Sequence, residues 1–200
     1  MPRRRSNPLA LAVLACLTER PMHPYEMAAT MRTRGQDQSI RLNYGSLYGV
    51  VENLLKRGLV EEQEVVREGR RPERTVYRIT EDGRAEVDDW MAELLGRAAK
   101  EFPQFEAGLS LMGVLPPERV VALFHDRIAA LKARLSELDA VVEAALRNGV
   151  PRVFLVEMDY ERALVDADCA FTEQLARDIE SETLDGVAFW KNVHAGRQEA

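Results

Sequence analysis

Cysteine is scarce in this chain. Only Cys16 and Cys169 occur among the 200 residues, without the spacing of a pair, so neither a disulfide framework nor a cysteine-ligated zinc site is indicated. Histidine is nearly as rare. His23, His125 and His194 show no partner spacing for a metal, each reads as a lone surface or capping residue, and no metal or cofactor is expected. The chain also lacks Gly-x-Gly-x-x-Gly, a phosphate loop, His-Glu-x-x-His and Gly-x-Ser-x-Gly. Its many carboxylates between 157 and 185 belong on helix faces that must meet water, so no enzyme is expected. No apolar run is long enough for a bilayer, since Leu9 to Leu17 falls short of the roughly 20 residues required. That run follows Arg3, Arg4 and Arg5 as the apolar part of a signal peptide does, yet no small-residue cleavage site comes after it and Thr18-Glu19-Arg20 ends it. A cytoplasmic protein with no membrane partner is the expectation. Internal repeats and low-complexity tracts are absent apart from the arginine run at the start.

The chain does have enough apolar residues, 46% against 30% charged, to bury a core as one large domain or two small ones. Its charge is divided. Residues 1–80 hold 14 Lys and Arg against 9 Asp and Glu, a net of +5, and residues 81–200 hold 13 against 24, a net of −11. A basic amino-terminal unit on an acidic remainder fits a protein that offers one end to a polyanion, because phosphate binding depends on local charge.

The order of elements sharpens this. Asn7-Pro8 is the cap and first position of a helix whose stretch Leu9 to Leu17 is apolar nearly all round and belongs at the centre of a core. Pro24-Tyr25-Glu26 starts a second helix that runs to about Arg34, before Gly35. Asn43 starts a third, with Leu47, Val51 and Leu54 on its inner face and Gly58 closing it. Leu59 to Arg67 and Arg74 to Ile79 then read as two strands around an arginine-rich turn. Thr80 caps a fourth helix, with an apolar stripe of Val87, Trp90, Met91, Leu94 and Leu95.

Three helices and a hairpin make a winged helix-turn-helix, in which the third helix enters the major groove and the hairpin tip lies on the backbone. Asn43, Tyr44, Gly45, Ser46 and Tyr48 are the candidate contacts, since they put polar donors and a close backbone approach at a helix amino terminus that already favours phosphate. Tyr44 and Tyr48 share a row beside the apolar face, so at least one should point outward. Packing of Tyr48 in the core is an equal alternative. Arg70, Arg71 and Arg74 supply forked donors at the hairpin for phosphate or a narrow minor groove.

Beyond Gly96 no strand signal appears. Residues 104–113 form a short helix and Pro116-Pro117-Glu118 starts a long one ending at Asn148-Gly149. In it Val121, Phe124, Ile128, Leu131, Leu135, Leu138, Val142 and Ala145 recur as a coiled-coil seam. Pro151 opens another long helix with a stripe of Tyr160, Leu164, Ala167, Phe171, Leu175 and Ile179, and a last segment carries Leu184, Val187, Trp190 and Val193. The fold class is therefore mainly α: a winged-helix DNA-binding domain at 1–95 with a two-stranded wing, and an all-α dimerisation domain at 96–200 with coiled-coil-like long helices. The seam residues, with Trp90 and Leu94, are expected to pair across a two-fold axis in preference to a purely internal bundle.

At this point a family resemblance becomes specific. His23-Pro24-Tyr25-Glu26-Met27, Gly45-Ser46-Leu47-Tyr48, Leu55-Lys56-Arg57-Gly58-Leu59-Val60, Gly69-Arg70-Arg71 and Tyr77-Arg78-Ile79-Thr80-Glu81-Asp82-Gly83 occur in order, and together they resemble the PadR family of transcriptional regulators. The second half resembles the helical carboxy-terminal domain of its longer members, through Phe102-Pro103 and Leu184-Asp185-Gly186 with Trp190. The resemblance implies a homodimeric, usually repressing winged-helix protein. From the two-fold symmetry of such a dimer, double-stranded DNA is expected to be bound at an inverted-repeat operator and released by a small-molecule or protein effector that favours another subunit angle. The resemblance also implies that Tyr25, Ser46 and Tyr48 lie on or near DNA, and that the helix carrying Trp90 joins the subunit interface, where some members sense aromatic compounds. Packing in that interface is the preferred role for Trp90. The sequence departs from the family pattern at Pro24 and at Tyr44. A helical adaptor that binds another protein through its coiled-coil stripe is the alternative.

Overall fold

Asn7 accepts the Leu9 amide at 3.1 Å and Pro8 takes the first helical position, so α1 runs Pro8–Glu19. Leu9 through Leu14, Cys16 and Leu17 are all buried, and α1 is the axis around which the first core forms. The computed structural model describes residues 7–37, 39–66 and 74–198. The chain divides into two compact units, Met1–Lys100 and Glu101–Ala200.

In the first unit, α2 spans Pro24–Thr33 and α3 spans Tyr44–Lys56. A capping box starts α2: His23 Nδ1 accepts the Tyr25 amide at 3.1 Å and Glu26 Oε2 accepts the His23 amide at 2.9 Å. The far end of α2 is tied to α1 by the Arg34 guanidinium, which donates to both Glu19 oxygens at 2.5 and 2.8 Å and holds that carboxyl below its usual range. Asn43 caps α3, and Leu47, Val50, Val51 and Leu54 form its buried face against α1 and α2. Gly58 ends it at φ 72°, a left-handed position that costs glycine nothing.

Strands β1 (Val60–Val66) and β2 (Arg74–Ile79) pair antiparallel from Val60 opposite Ile79 to Val66 opposite Arg74, with a register shift between Glu62 and Glu64. Met22 exchanges two backbone hydrogen bonds with Tyr77, at 3.0 and 3.1 Å, so the base of the hairpin is anchored to the segment between α1 and α2. Thr80 then caps α4 (Glu81–Gly96) by accepting the Gly83 amide at 3.1 Å. The stripe expected on α4 is only partly inward. Trp90 is 4% exposed in the core of its own unit, whereas Leu94 and Leu95 are 55% and 81% exposed.

The second unit comprises α5 (Gln104–Leu111), a 3-10 turn at Met112–Val114, α6 (Pro117–Arg147), a 3-10 turn at Arg152–Phe154, α7 (Val156–Glu180) and α8 (Val187–Gln198). The helix expected from Pro151 therefore begins only at Val156. Helices α6 and α7 pair antiparallel, with ion pairs Lys132–Glu173, Arg134–Glu161 and Asp139–Arg162 across them. Phe124 and Ile128 of the expected seam are buried in a core with Cys169, Ala176 and Ile179 of α7 and Val187 of α8, and Leu131 packs against it. Leu138 is buried further along α6, while Leu135 and Val142 are half-buried. The seam thus packs, at least in this stretch, inside one chain.

The stripe expected on α7 is inward only at its carboxy-terminal end: Leu175 is half-buried and Ile179 buried, whereas Tyr160, Leu164, Ala167 and Phe171 are exposed, and Cys169, Thr172 and Ala176 are buried in their place. The physical reason is size and charge: small side chains let the two helices approach closely, and Asp168 on the same side accepts from Arg127 of α6 and from the Thr172 hydroxyl. His194 is also not at the surface. Its Nε2 donates to the Gly113 carbonyl at 3.0 Å while Trp190 Nε1 donates to the Leu115 carbonyl at 2.9 Å, and the pair clamps α8 to the turn after α5.

Candidate nucleic-acid interface

The amino-terminal end of α3 is built by Asn43. Its side-chain oxygen accepts the amides of Gly45 at 2.9 Å and Ser46 at 3.4 Å, so that oxygen serves the helix and only the Nδ2 donors remain for a ligand. A Cβ on Gly45 would lie 3.4 Å from that same oxygen, which makes glycine the residue that leaves the cap open to close approach. Gly45 and Ser46 are both exposed. The backbone of Tyr44 opens the helix, and its side chain lies outside the described residues.

Tyr48 is 47% exposed, which settles its orientation outward. Its ring stands edge-on to His23, with centroids 6.4 Å apart at 71°. His23 in turn holds the amide of Tyr25, whose side chain is 58% exposed. One imidazole therefore joins the start of α2 to the outer face of α3, and Tyr25, Ser46 and Tyr48 all open to solvent in the same unit. Close by on β2, burial, with the carboxylates of Glu62 and Glu52 and the phenol of Tyr48, pushes the Tyr77 phenol above its usual range.

The same outward face of α3 continues through Gly49, Glu52, Asn53 and Lys56, all exposed. These residues lie beyond the expected contacts, which end at Tyr48, although the helical period that puts Leu47, Val51 and Leu54 inside also places them outside. Arg70 and Arg71 lie outside the described residues. Arg74 begins β2 opposite Val66, which puts its backbone at the distal end of the described hairpin.

In the second unit an open apolar groove of about 300 Å³ is lined by Phe105, Leu109, Met112, Leu123 and Phe124. The Arg127 guanidinium, which also lines the groove, sits over the Phe105 ring, 3.6 Å from its centre. Among the described residues no group of three or more His, Cys, Asp or Glu side chains is arranged to hold a metal ion, and no helix is long and apolar enough to cross a membrane.

Residues 13–89 match the Transcriptional regulator PadR-like family. Among solved structures, Bacillus subtilis PadR in complex with operator DNA superposes with a TM-score of 0.68 at 18% identity, covering 88% of this chain and 98% of that one. The Vibrio cholerae virulence activator AphA gives 0.66 at 16% identity, covering 87% and 99%. The PadR-like transcriptional regulator BC1756 from Bacillus cereus gives 0.58 at 18%, covering 87% and 99%. Comparison with curated proteins yields no match. The fold is the PadR winged helix followed by a helical carboxy-terminal region, in agreement with the motifs quoted above.

Proposed function

We propose that this chain, whose amino-terminal unit carries the PadR-like match, is a transcriptional regulator that binds double-stranded DNA sequence-specifically as a homodimer. The observation that carries the reading is the amino-terminal end of α3: a capped helix start with free polar groups, flanked by the outward Tyr48 and Tyr25, in the basic part of an otherwise acidic chain. The likeness to a PadR solved on operator DNA supports it. In this reading Asn43, Tyr44, Gly45, Ser46 and Tyr48 read the major groove. Arg70, Arg71 and Arg74 hold the backbone or minor groove, since arginine at a turn offers paired donors to phosphate. The two copies of α3 engage half-sites one helical turn apart, about 34 Å, in an inverted repeat.

The chain works as a cytoplasmic repressor, and an effector that favours a different subunit arrangement releases it. The apolar groove beside Phe105 suits a small apolar effector. Dimerisation falls to faces the chain does not use itself, namely the exposed end of α4 at Leu94 and Leu95 and the outer face of α7. The α6 residues Phe124, Ile128 and Leu138 serve first to hold α6 within the unit.

Fluorescence anisotropy with a labelled duplex from upstream of the protein's own gene, against a scrambled duplex at several salt concentrations, tests this. Tight, salt-dependent and selective binding is expected. The double variant Arg70→Ala/Arg71→Ala should weaken binding to both duplexes and lower the salt slope by about one to two. An unchanged slope removes the wing from the interface, and no binding even at low salt favours the adaptor alternative.

A further inference from the structure

The end of α3 is pinned to the beginning of α4. The Thr80 hydroxyl donates to the Gly58 carbonyl at 2.7 Å and its amide to the Leu59 carbonyl at 3.1 Å. Gly83 approaches so closely that a Cβ there would stand 2.1 Å from the Leu59 carbonyl oxygen. Both contacts grip the connection after α3. A third grips the helix itself: Arg57, its C-cap, donates from Nη2 to Glu86 Oε1 at 2.9 Å. Glu86 is 5% exposed, and the Arg57 side chain 34%.

A carboxylate is a costly occupant for a buried helix position, because desolvation offsets much of the attraction of its partner and an apolar side chain of similar volume often serves stability as well or better. What an ion pair adds is direction, since an arginine donor meets a carboxylate in a narrow range of geometries. We infer that Glu86 is a positioning residue for DNA recognition: through Arg57 it sets the tilt of α3 and couples that tilt to α4. The inference rests on the reading of α3 as the recognition helix.

The lever is long enough to matter. Ser46 stands eleven residues before Arg57, roughly 16 Å at the rise of an α-helix. A tilt of about 10° at the pinned end therefore moves Ser46 by about 3 Å, the full length of a hydrogen bond. Phosphate contacts through flexible side chains tolerate such a shift, and direct contacts to base edges do not. Because α4 is the last helix of its unit, any rearrangement that moves α4 reaches α3 through the same pair.

The double variant Arg57→Met/Glu86→Met separates positioning from stability. It removes one charge of each sign, so net charge and salt-driven binding are unchanged, and it replaces an ion pair whose carboxylate alone is buried by apolar side chains. The full-length variant should melt no lower than the parent and bind the scrambled duplex equally well. Its preference for the upstream duplex should fall about tenfold. Hydrogen exchange of the amides of residues 46–57, measured without DNA, should quicken at least several-fold. The single variant Glu86→Gln should show the same two changes and serves if the double variant fails to fold. A folded variant with parental exchange in α3 and parental preference overturns the inference. If the parent itself shows no preference between duplexes, the reading of α3 fails, and exchange in α3 alone decides whether the pair holds the helix.

Discussion

Gly83 shows how one atom can decide a residue. Its left-out Cβ would lie 2.1 Å from the Leu59 carbonyl oxygen and 2.7 Å from Ile79 Cγ1, and neither backbone nor a packed branched side chain can yield that far. Gly83→Ala should destabilise the protein by about 1–3 kcal/mol or more through overpacking. Gly49, helical and with nothing within 4 Å of a Cβ, should respond in the opposite sense. Gly49→Ala gains about 0.5–1 kcal/mol of helix propensity, and urea denaturation of the two variants side by side measures both. In the sequence Gly83 was visible only as part of a motif, because the carbonyl it accommodates lies on a different element. Tyr48 was ambiguous for a related reason: its place beside the apolar face allowed either side, and the folded chain leaves it half-exposed against His23, the cap of α2.

Single elements were legible where their own residues carry the reason. Asn7 and Thr80 each cap the helix they were expected to cap, and Asn43, expected as the start of α3, caps it, since a cap is a hydrogen bond within a few residues. Faces were less legible. On α7 the large apolar residues Tyr160, Leu164 and Phe171 made the more obvious stripe, but the neighbouring α6 selects the side with Cys169, Thr172 and Ala176. A period locates two faces and does not say which one a partner takes. The two faces predict different behaviour on substitution. Ile128→Ala should lower stability by about 2–5 kcal/mol through the cavity it leaves, and chemical denaturation should find this loss independent of protein concentration. Leu164→Glu, on the outer face of α7, should leave that stability nearly unchanged and, in the proposed dimer, shift sedimentation toward the monomer. A variant that stayed dimeric would remove the outer face of α7 from the self-association surface.

At the scale of the whole chain, two units with separate cores meet in sequence at a short connection. Residues 97–103 lie outside the helices and are all exposed, which is the condition for a protease to bind backbone. Limited trypsin digestion is expected to cut first at Arg97 or Lys100, and mass spectrometry should find two fragments near half the mass of the chain. Early cuts inside α6 or α7 would contradict the separation. The charge division falls earlier, inside the first unit and before α4, with +5 over residues 1–80 and −11 over residues 81–200. In the proposed reading this confines attraction for phosphate to the winged-helix end and keeps the helical region off the nucleic acid.

The order of elements, the helix caps, the hairpin and the division of charge were determined by the sequence alone, because each depends on residues close together in the chain. The destination of each apolar face was decided only by tertiary structure. Trp90 packs in the core of its own unit, the α6 seam meets α7 of the same chain over Phe124 and Ile128, and Glu86 of α4 meets Arg57 at the end of α3 although the whole hairpin lies between them in sequence. Those outcomes depend on which neighbour arrives first at closest packing, and packing is a property of three-dimensional shape that periodicity along the chain does not contain.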